Sequence, residues 1–207
     1  MSRNVVVRVV AAAMLGVLLA GTWVTSGRLE IGWLRFFSAG VFIATVVLSA
    51  WDLWLWRLPW FQRIPGVPRS VRGTWEGVLT SFWVDPGTGV KVLEKAAFLV
   101  VRQTASSVSV RLITDESQSR SSLASVSVPD GSAVLDYLYL NRPKSSVEHR
   151  SRMHHGSTVL DISGCPARRL EGRYWTDRDS RGELVFTKRS RRIADDFEEA
   201  RELFTAS

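Results

Sequence analysis

Between Arg72 and Lys188 the sequence alternates apolar and polar residues in short runs, with turn residues between them and no helical periodicity. Successive side chains on a strand point to opposite faces, so this pattern dictates strands half-buried against one core. Eight runs follow one another: Arg72 to Val84, Val90 to Gln103, Ser107 to Thr114, Leu123 to Pro129, Ala133 to Asn141, Gly156 to Ser163, Arg169 to Asp177 and Gly182 to Lys188. Asp85-Pro86-Gly87-Thr88-Gly89 and Asp130-Gly131 are turn signals, while the Ser-rich stretch Glu116 to Ser122 and the polar stretch Arg142 to His154 read as connections. Strands joined in sequence without crossover helices predict an all-β domain over residues 72–190, a small eight-stranded up-and-down β-barrel. A two-sheet sandwich is the alternative. Residues 191–207 predict an amphipathic helix with Ile193, Phe197, Ala200 and Phe204 on one face, packed on the barrel or over one mouth.

Residues 1–58 are of another kind. Val5 to Val24 is apolar apart from Arg8, and the charges of Ile31 to Trp56 are Arg35 and Asp52. About twenty helical residues cross a bilayer core of about 30 Å. The segment therefore predicts a transmembrane helical hairpin, with helices over about 5–25 and 31–56 and a polar turn at Thr25 to Glu30. Trp23 and Trp33 at one end, and Trp51, Trp54, Trp56 and Trp60 at the other, read as interfacial belts. Ala12, Gly16 and Ala20 on the first helix, and Gly40 and Ala44 on the second, have the spacing that lets helices pack closely in lipid. That packing serves either one hairpin or the assembly of several, and Arg8 and Asp52 lie at similar depth, where they either form a salt bridge or snorkel to the interface. Residues 59–71 form a linker stiffened by Pro59, Pro65 and Pro68, and residues 57–72 hold four arginines and no acidic residue. By the positive-inside rule both termini and the barrel face the cytoplasm, which predicts a multi-pass membrane protein. A cleaved signal peptide is the alternative for the first segment and leaves the barrel on the same side.

The chain lacks the usual constellations of catalysis. There is no Gly-rich phosphate loop, no Gly-x-Ser-x-Gly and no zinc spacing of Cys or His. His154 and His155 are adjacent on a strand and point to opposite faces, so they cannot share a metal. The reading is no enzyme, no cofactor and no metal. The lone Cys165 excludes an intrachain disulfide and fits a reducing compartment. A net charge of +7 admits nucleic-acid binding, but the barrel region is only mildly basic, and neither DNA nor RNA is expected as a partner.

Barrel interiors hold ligands, and alternation assigns their faces. Gly73, Trp75, Gly77 and Leu79 share the inner face of the first strand; Leu135, Tyr137, Tyr139 and Asn141 that of the fifth; Leu170, Gly172, Tyr174, Thr176 and Arg178 that of the seventh. Each of the last two sets runs from apolar to polar. Rings, hydroxyls, an amide and a guanidinium together suit an anionic ligand that carries bases. The alternative is a filled core of Trp75 and Tyr174, with Arg178 covering the base of the barrel over Trp75.

Gly73-Thr74-Trp75 is similar to the first strand of lipocalins. Leu170-Glu171-Gly172-Arg173-Tyr174-Trp175-Thr176-Asp177-Arg178, Gly182-Glu183-Leu184, Tyr139-x-Asn141-x-Pro143 and His155-Gly156, with the two apolar segments, resemble the two-transmembrane β-strand-rich effectors of CBASS, the bacterial cyclic-oligonucleotide anti-phage signalling system. That resemblance implies an antiviral defence effector whose barrel binds a cyclic di- or oligonucleotide made by a partner synthase. The effector then oligomerises with itself, and its helices disrupt the inner membrane and kill the infected cell. It carries Tyr174, Thr176 and Arg178, with Trp75, Tyr139 and Asn141, over as the ligand-binding set. The rival readings are a membrane-tethered carrier of an apolar ligand and a structural subunit that binds none.

Overall fold

The eight runs of alternation close on themselves. The computed structural model describes residues 33–84, 94–148 and 151–205, together with Leu15, Gly16, Leu19 and Gly89. Strands β1 (Gly73–Ser81), β2 (Lys95–Gln103), β3 (Val108–Ile113), β4 (Ser117–Ser127), β5 (Ala133–Pro143), β6 (His154–Ser163), β7 (Arg169–Thr176) and β8 (Arg181–Ser190) each pair antiparallel with the next. β8 then returns to pair with β1, from Thr74 opposite Ser190 to Ser81 opposite Gly182, so the sheet is a closed up-and-down barrel and not a sandwich. Each strand thus has a neighbour on both sides, although β3 meets β4 only from Arg111 opposite Arg120 to Ile113 opposite Gln118. The Asp130-Gly131 signal does form the β4–β5 turn, with both residues in the left-handed region at φ 49° and 86°.

The inner faces follow the alternation. Leu99, Leu135, Leu160, Leu170, Leu184 and Phe186 are fully buried in one core. The Ser-rich stretch departs from expectation, because Ser117 to Ser122 belongs to β4 and not to a connection. Serine gives no apolar signal, yet the backbone is held on both sides, by β5 along its length and by β3 from Gln118 to Arg120. A bulge between Ser121 and Leu123 shifts the register there, which breaks the alternation that would have marked the strand.

One end of the barrel is sealed by the chain leading into β1. The Trp75 indole N–H donates to the Val71 carbonyl (2.8 Å), the Val71 N–H donates to Gln103 Oε1 (2.8 Å), and Gln103 Nε2 donates to the Arg69 carbonyl (2.9 Å). The Arg189 guanidinium lies 5.0 Å from the centre of the Trp75 ring system and donates from Nη2 to the Arg72 carbonyl at 2.7 Å. Burial, with Arg191 and Arg72 nearby, pulls the Arg189 pKa down to about 10, so it remains a cation at neutral pH.

The C-terminal helix α2 spans Phe197–Thr205, starting later than the expected 191. Asp196 Oδ1 accepts the Glu199 N–H (2.8 Å), which begins the helix, while the preceding chain is tied to β1 through Thr74 and the Arg192 carbonyl. Phe197 and Phe204 pack on Phe98, beside Val100 and Ile113, on the outer wall formed by β2 and β3. The helix therefore packs on the barrel and does not close a mouth.

The chain divides into two compact units, Met1–Val67 with Thr104–Ser106, and Pro68–Gln103 with Ser107–Ser207. The first holds helix α1 (Trp33–Leu53) and two short 3₁₀ turns, Leu55–Arg57 and Phe61–Arg63. Among the described residues no helix is long and apolar enough to cross a membrane. The expected transmembrane hairpin is corrected accordingly, and the multi-pass inner-membrane placement is not supported. The uncharged part of α1, from Phe36 to Trp51, spans about 24 Å at 1.5 Å per residue, short of a core of about 30 Å. Asp52 accepts the Ser106 N–H at 2.9 Å, and Arg8, considered for a salt bridge with it, lies outside the described residues. The expected tryptophan belt is not uniform: Trp51 packs edge-on against Phe61 at 5.0 Å, Trp56 is buried, and Trp54 and Trp60 are exposed. Gly40 and Ala44 are buried on α1. Gly16 is exposed, and a Cβ there would meet nothing within 4 Å. Ala12, Ala20, Arg8 and the turn Thr25 to Glu30 lie outside the described residues.

Candidate functional site

The end of the barrel opposite Trp75 is open. The last residues of the odd-numbered strands and the first of the even-numbered ones surround a cavity of about 480 Å³, within the roughly 300–1,000 Å³ typical of small-molecule sites. Its wall is shaped by two tyrosines laid over glycines. Tyr139 stands opposite Gly156 on β6, and Tyr174 opposite Gly182 on β8. A Cβ at Gly156 would strike the Tyr139 phenol, and one at Gly182 would come within 2.7 Å of Tyr174 Cε1 and press on the Thr80 carbonyl. Only glycine leaves space for these rings against the inner wall.

Polar groups in and beneath this wall are left without partners. Asn141 is 8% exposed, lines the cavity, and its amide makes no hydrogen bond to a described residue. The buried hydroxyls of Thr158, which lines the cavity, and of Tyr137 and Ser119 also lack a partner among the described residues. Tyr137 and Thr158 stand opposite each other on β5 and β6, but their hydroxyls do not reach hydrogen-bond geometry. Burial pushes all three phenols up. For Tyr137 the Thr158 hydroxyl offsets this in part; for Tyr139, Tyr137, Tyr174 and Asp177 add to it; for Tyr174, Ser81 offsets it.

Charge lies at the rim. Arg178 is exposed in the β7–β8 turn, and its Nη1 donates to the Arg152 carbonyl (3.1 Å) and, at the limit of contact, to Ser151 Oγ (3.4 Å). Both partners are neutral, and Arg178 forms no ion pair among the described residues, where Asp177 and Asp179 are its sequence neighbours. Lys95 at the start of β2 is ion-paired with Glu116, and both line the cavity. Thr176 also lines it, but its hydroxyl is engaged in the turn, with Ser180 Oγ at 2.7 Å and the Arg178 N–H at 3.2 Å.

Five of the six residues expected in the site, Tyr139, Asn141, Tyr174, Thr176 and Arg178, thus line one cavity. Trp75 does not; it is fully buried at the sealed end, and the arginine over its ring is Arg189 rather than Arg178. Lys95, Glu116, Ser81, Trp83 and Thr158 were missed. Ser81 and Trp83 continue the odd-numbered inner face of β1, so alternation alone could have found them. Lys95 is in phase with Ala97 and Leu99, but a lysine in an otherwise apolar strand reads as its exposed start.

The family described as "Cap15, cyclic dinucleotide receptor domain" matches residues 67–188, more than half of the chain and every residue of the cavity. A relative from Staphylococcus schleiferi, CD-NTase-associated protein 15, is 28% identical over 159 residues, which cover 77% of this chain and 82% of the relative.

Proposed function

Since the chain belongs to the Cap15 cyclic dinucleotide receptor domain family, we propose that the open mouth of its barrel is the place where a cyclic dinucleotide binds, and that this binding is the sensing step of a CBASS effector. The observation that carries the reading is the cavity itself: the Asn141 amide and the Thr158 hydroxyl, unpartnered among the described residues, share its lining with two tyrosine rings, and Arg178 stands at the lip without an ion pair among those residues. Rings stack on bases, and a guanidinium pairs with a phosphate through charge-assisted hydrogen bonds. Tyr139, Tyr174, Asn141 and Arg178 are the residues assigned to contact; Thr176 holds the turn that presents Arg178. Trp75 is assigned to the fold.

Signalling requires a further step. A ligand shifts an equilibrium only by binding one state more tightly than another, so occupancy promotes self-association if the filled mouth makes the better interface. Membrane disruption through transmembrane helices is not carried forward, for the reason given with α1. The apolar-carrier reading is disfavoured by the same wall, because an apolar ligand would leave Asn141 and Thr158 buried without partners.

Titration calorimetry of the full chain with cyclic dinucleotides and with a fatty acid tests the assignment. Cyclic dinucleotides are expected to bind and the fatty acid is not. Arg178→Ala should weaken binding by about 1.5–3 kcal/mol with an unchanged melting temperature, since the arginine's protein contacts are exposed. Fatty-acid binding without nucleotide binding, or unchanged nucleotide affinity in a stable Arg178→Ala variant, would overturn it.

A further inference from the structure

We propose that the ligand enters base first: a nucleobase occupies the buried part of the cavity, where Asn141 reads its hydrogen-bonding edge, and the phosphates stay at the rim. This deepens the reading above and rests on it.

Burial separates the two zones. The buried lining, Tyr139, Asn141, Thr158, Tyr174 and Leu184 among it, carries no charge. A phosphate placed there would surrender its hydration to neutral groups, a penalty that only a nearby cation offsets. The cations that line the cavity, Arg178 and Lys95, are the more exposed groups. A base has the opposite needs, with two faces to bury and an edge of donors and acceptors to satisfy. Tyr139 and Tyr174 supply ring surface, but every base has a π-face, so stacking does not discriminate. Discrimination falls to a group that can tell donors from acceptors.

Asn141 is such a group. A primary amide offers two donors and one acceptor oxygen, and this one is more than nine-tenths buried with none of them used by a described residue. Its neighbour in the ladder, Ser119, has a buried hydroxyl that is also unpartnered, so nothing in the wall decides which end of the amide faces the ligand. Thr176, by contrast, has spent its hydroxyl on the β7–β8 turn.

The test is the affinity ratio between ligands that differ only in their bases. Full-length protein is titrated with cyclic di-AMP, cyclic di-GMP, cyclic di-UMP and their mixed-base counterparts, and Asn141→Asp is titrated with the same set. Aspartate keeps the shape of asparagine but accepts only, so it prefers guanine, whose N1–H and N2–H groups donate side by side to a carboxylate. Its added charge repels every phosphate alike, which cancels in the ratio. The preference for guanine-bearing over adenine-bearing ligand is expected to rise about tenfold or more. Uniform weakening of all ligands would overturn the assignment of Asn141. Should the aspartate variant fail to fold, Asn141→Ser is expected to shrink the spread between best and worst ligands severalfold, and an unchanged spread would overturn the inference equally. If wild-type protein binds none of the set, the cyclic dinucleotide reading itself fails, a separate result from binding with an unmoved ratio.

Discussion

The two ends of the barrel are built from the same strands but handle their polar groups in opposite ways. At the sealed end, Trp75, Gln103 and Arg189 each find a carbonyl or N–H, and the lead-in chain from Arg69 to Arg72 supplies most of those partners. At the open end the Thr158 hydroxyl is buried and unpartnered among the described residues, the Asn141 amide lines the cavity without a hydrogen bond to a described residue, and Arg178 hydrogen-bonds only neutral oxygens. A buried unmade hydrogen bond costs about 1–3 kcal/mol, so the open end carries a standing penalty that a ligand can relieve.

Alkali sets the ends against each other and produces the largest effect expected. Of the chain's three tyrosines, Tyr139 and Tyr174 line the cavity at the open end and Tyr137 lies in mid-strand beneath it, and burial raises all three. A group whose folded pKa lies above its unfolded value, about 10 for tyrosine, contributes stability that is complete below that pH and is lost as pH rises further. Arg189 at the sealed end has the opposite sign, since its folded pKa is lowered and its contribution improves in the same range. Three groups outweigh one, so the fold should be lost cooperatively above about pH 10. Tyrosinate absorbance should appear only together with unfolding measured by circular dichroism. Tyrosinate forming in a folded protein near pH 10 would show that the mouth does not bury its phenols.

Next in size is Trp75→Ala. Removing a fully buried indole from the seal should cost about 3–5 kcal/mol in chemical denaturation. Binding by the fraction that remains folded should keep its affinity, because the ring is not in the cavity. A loss of intrinsic affinity would return Trp75 to the site and erase the distinction between the ends.

The barrel was legible because its signal is local: Leu135, Tyr137, Tyr139 and Asn141 alternate on β5, and Leu170, Gly172, Tyr174 and Thr176 on β7, so period two placed them together before any pairing was known. What escaped depended on partners distant in sequence. β4 is held along Ser117 to Ser122 by neighbouring strands despite a composition typical of loops. Arg178 and Arg189 flank the same strand and look equivalent in sequence; the length of β8 puts one at the lip and the other at the seal. The amphipathic pattern after Arg191 was visible, but its start was decided by the Asp196 cap and by Thr74 holding the chain before it. In the amino-terminal segment, hydropathy pointed to a membrane hairpin, while the charges Arg35 and Asp52 bracket α1 too closely for its apolar part to span a bilayer core.

The smallest effect is the one whose sign matters most. Tyr137→Phe removes a buried hydroxyl that bonds to nothing described and leaves the ring packed beside Tyr139, 5.8 Å between centres. Losing a group that was desolvated without compensation should leave stability unchanged or raise it by up to about 1 kcal/mol. The matching change at the sealed end is Gln103→Leu, which removes the acceptor of the Val71 N–H and the donor to the Arg69 carbonyl. There the same kind of deletion orphans a buried N–H and should destabilise by about 1–3 kcal/mol. Denaturant unfolding of the two variants, with equal slopes to establish a common unfolded state, compares the ends directly. Opposite signs mean that polar groups at the seal are fastened to the fold while the Tyr137 hydroxyl beneath the cavity is not. Equal losses would mean that Tyr137 has a partner in solution, and the contrast between the ends would then narrow to Asn141, Thr158 and Arg178.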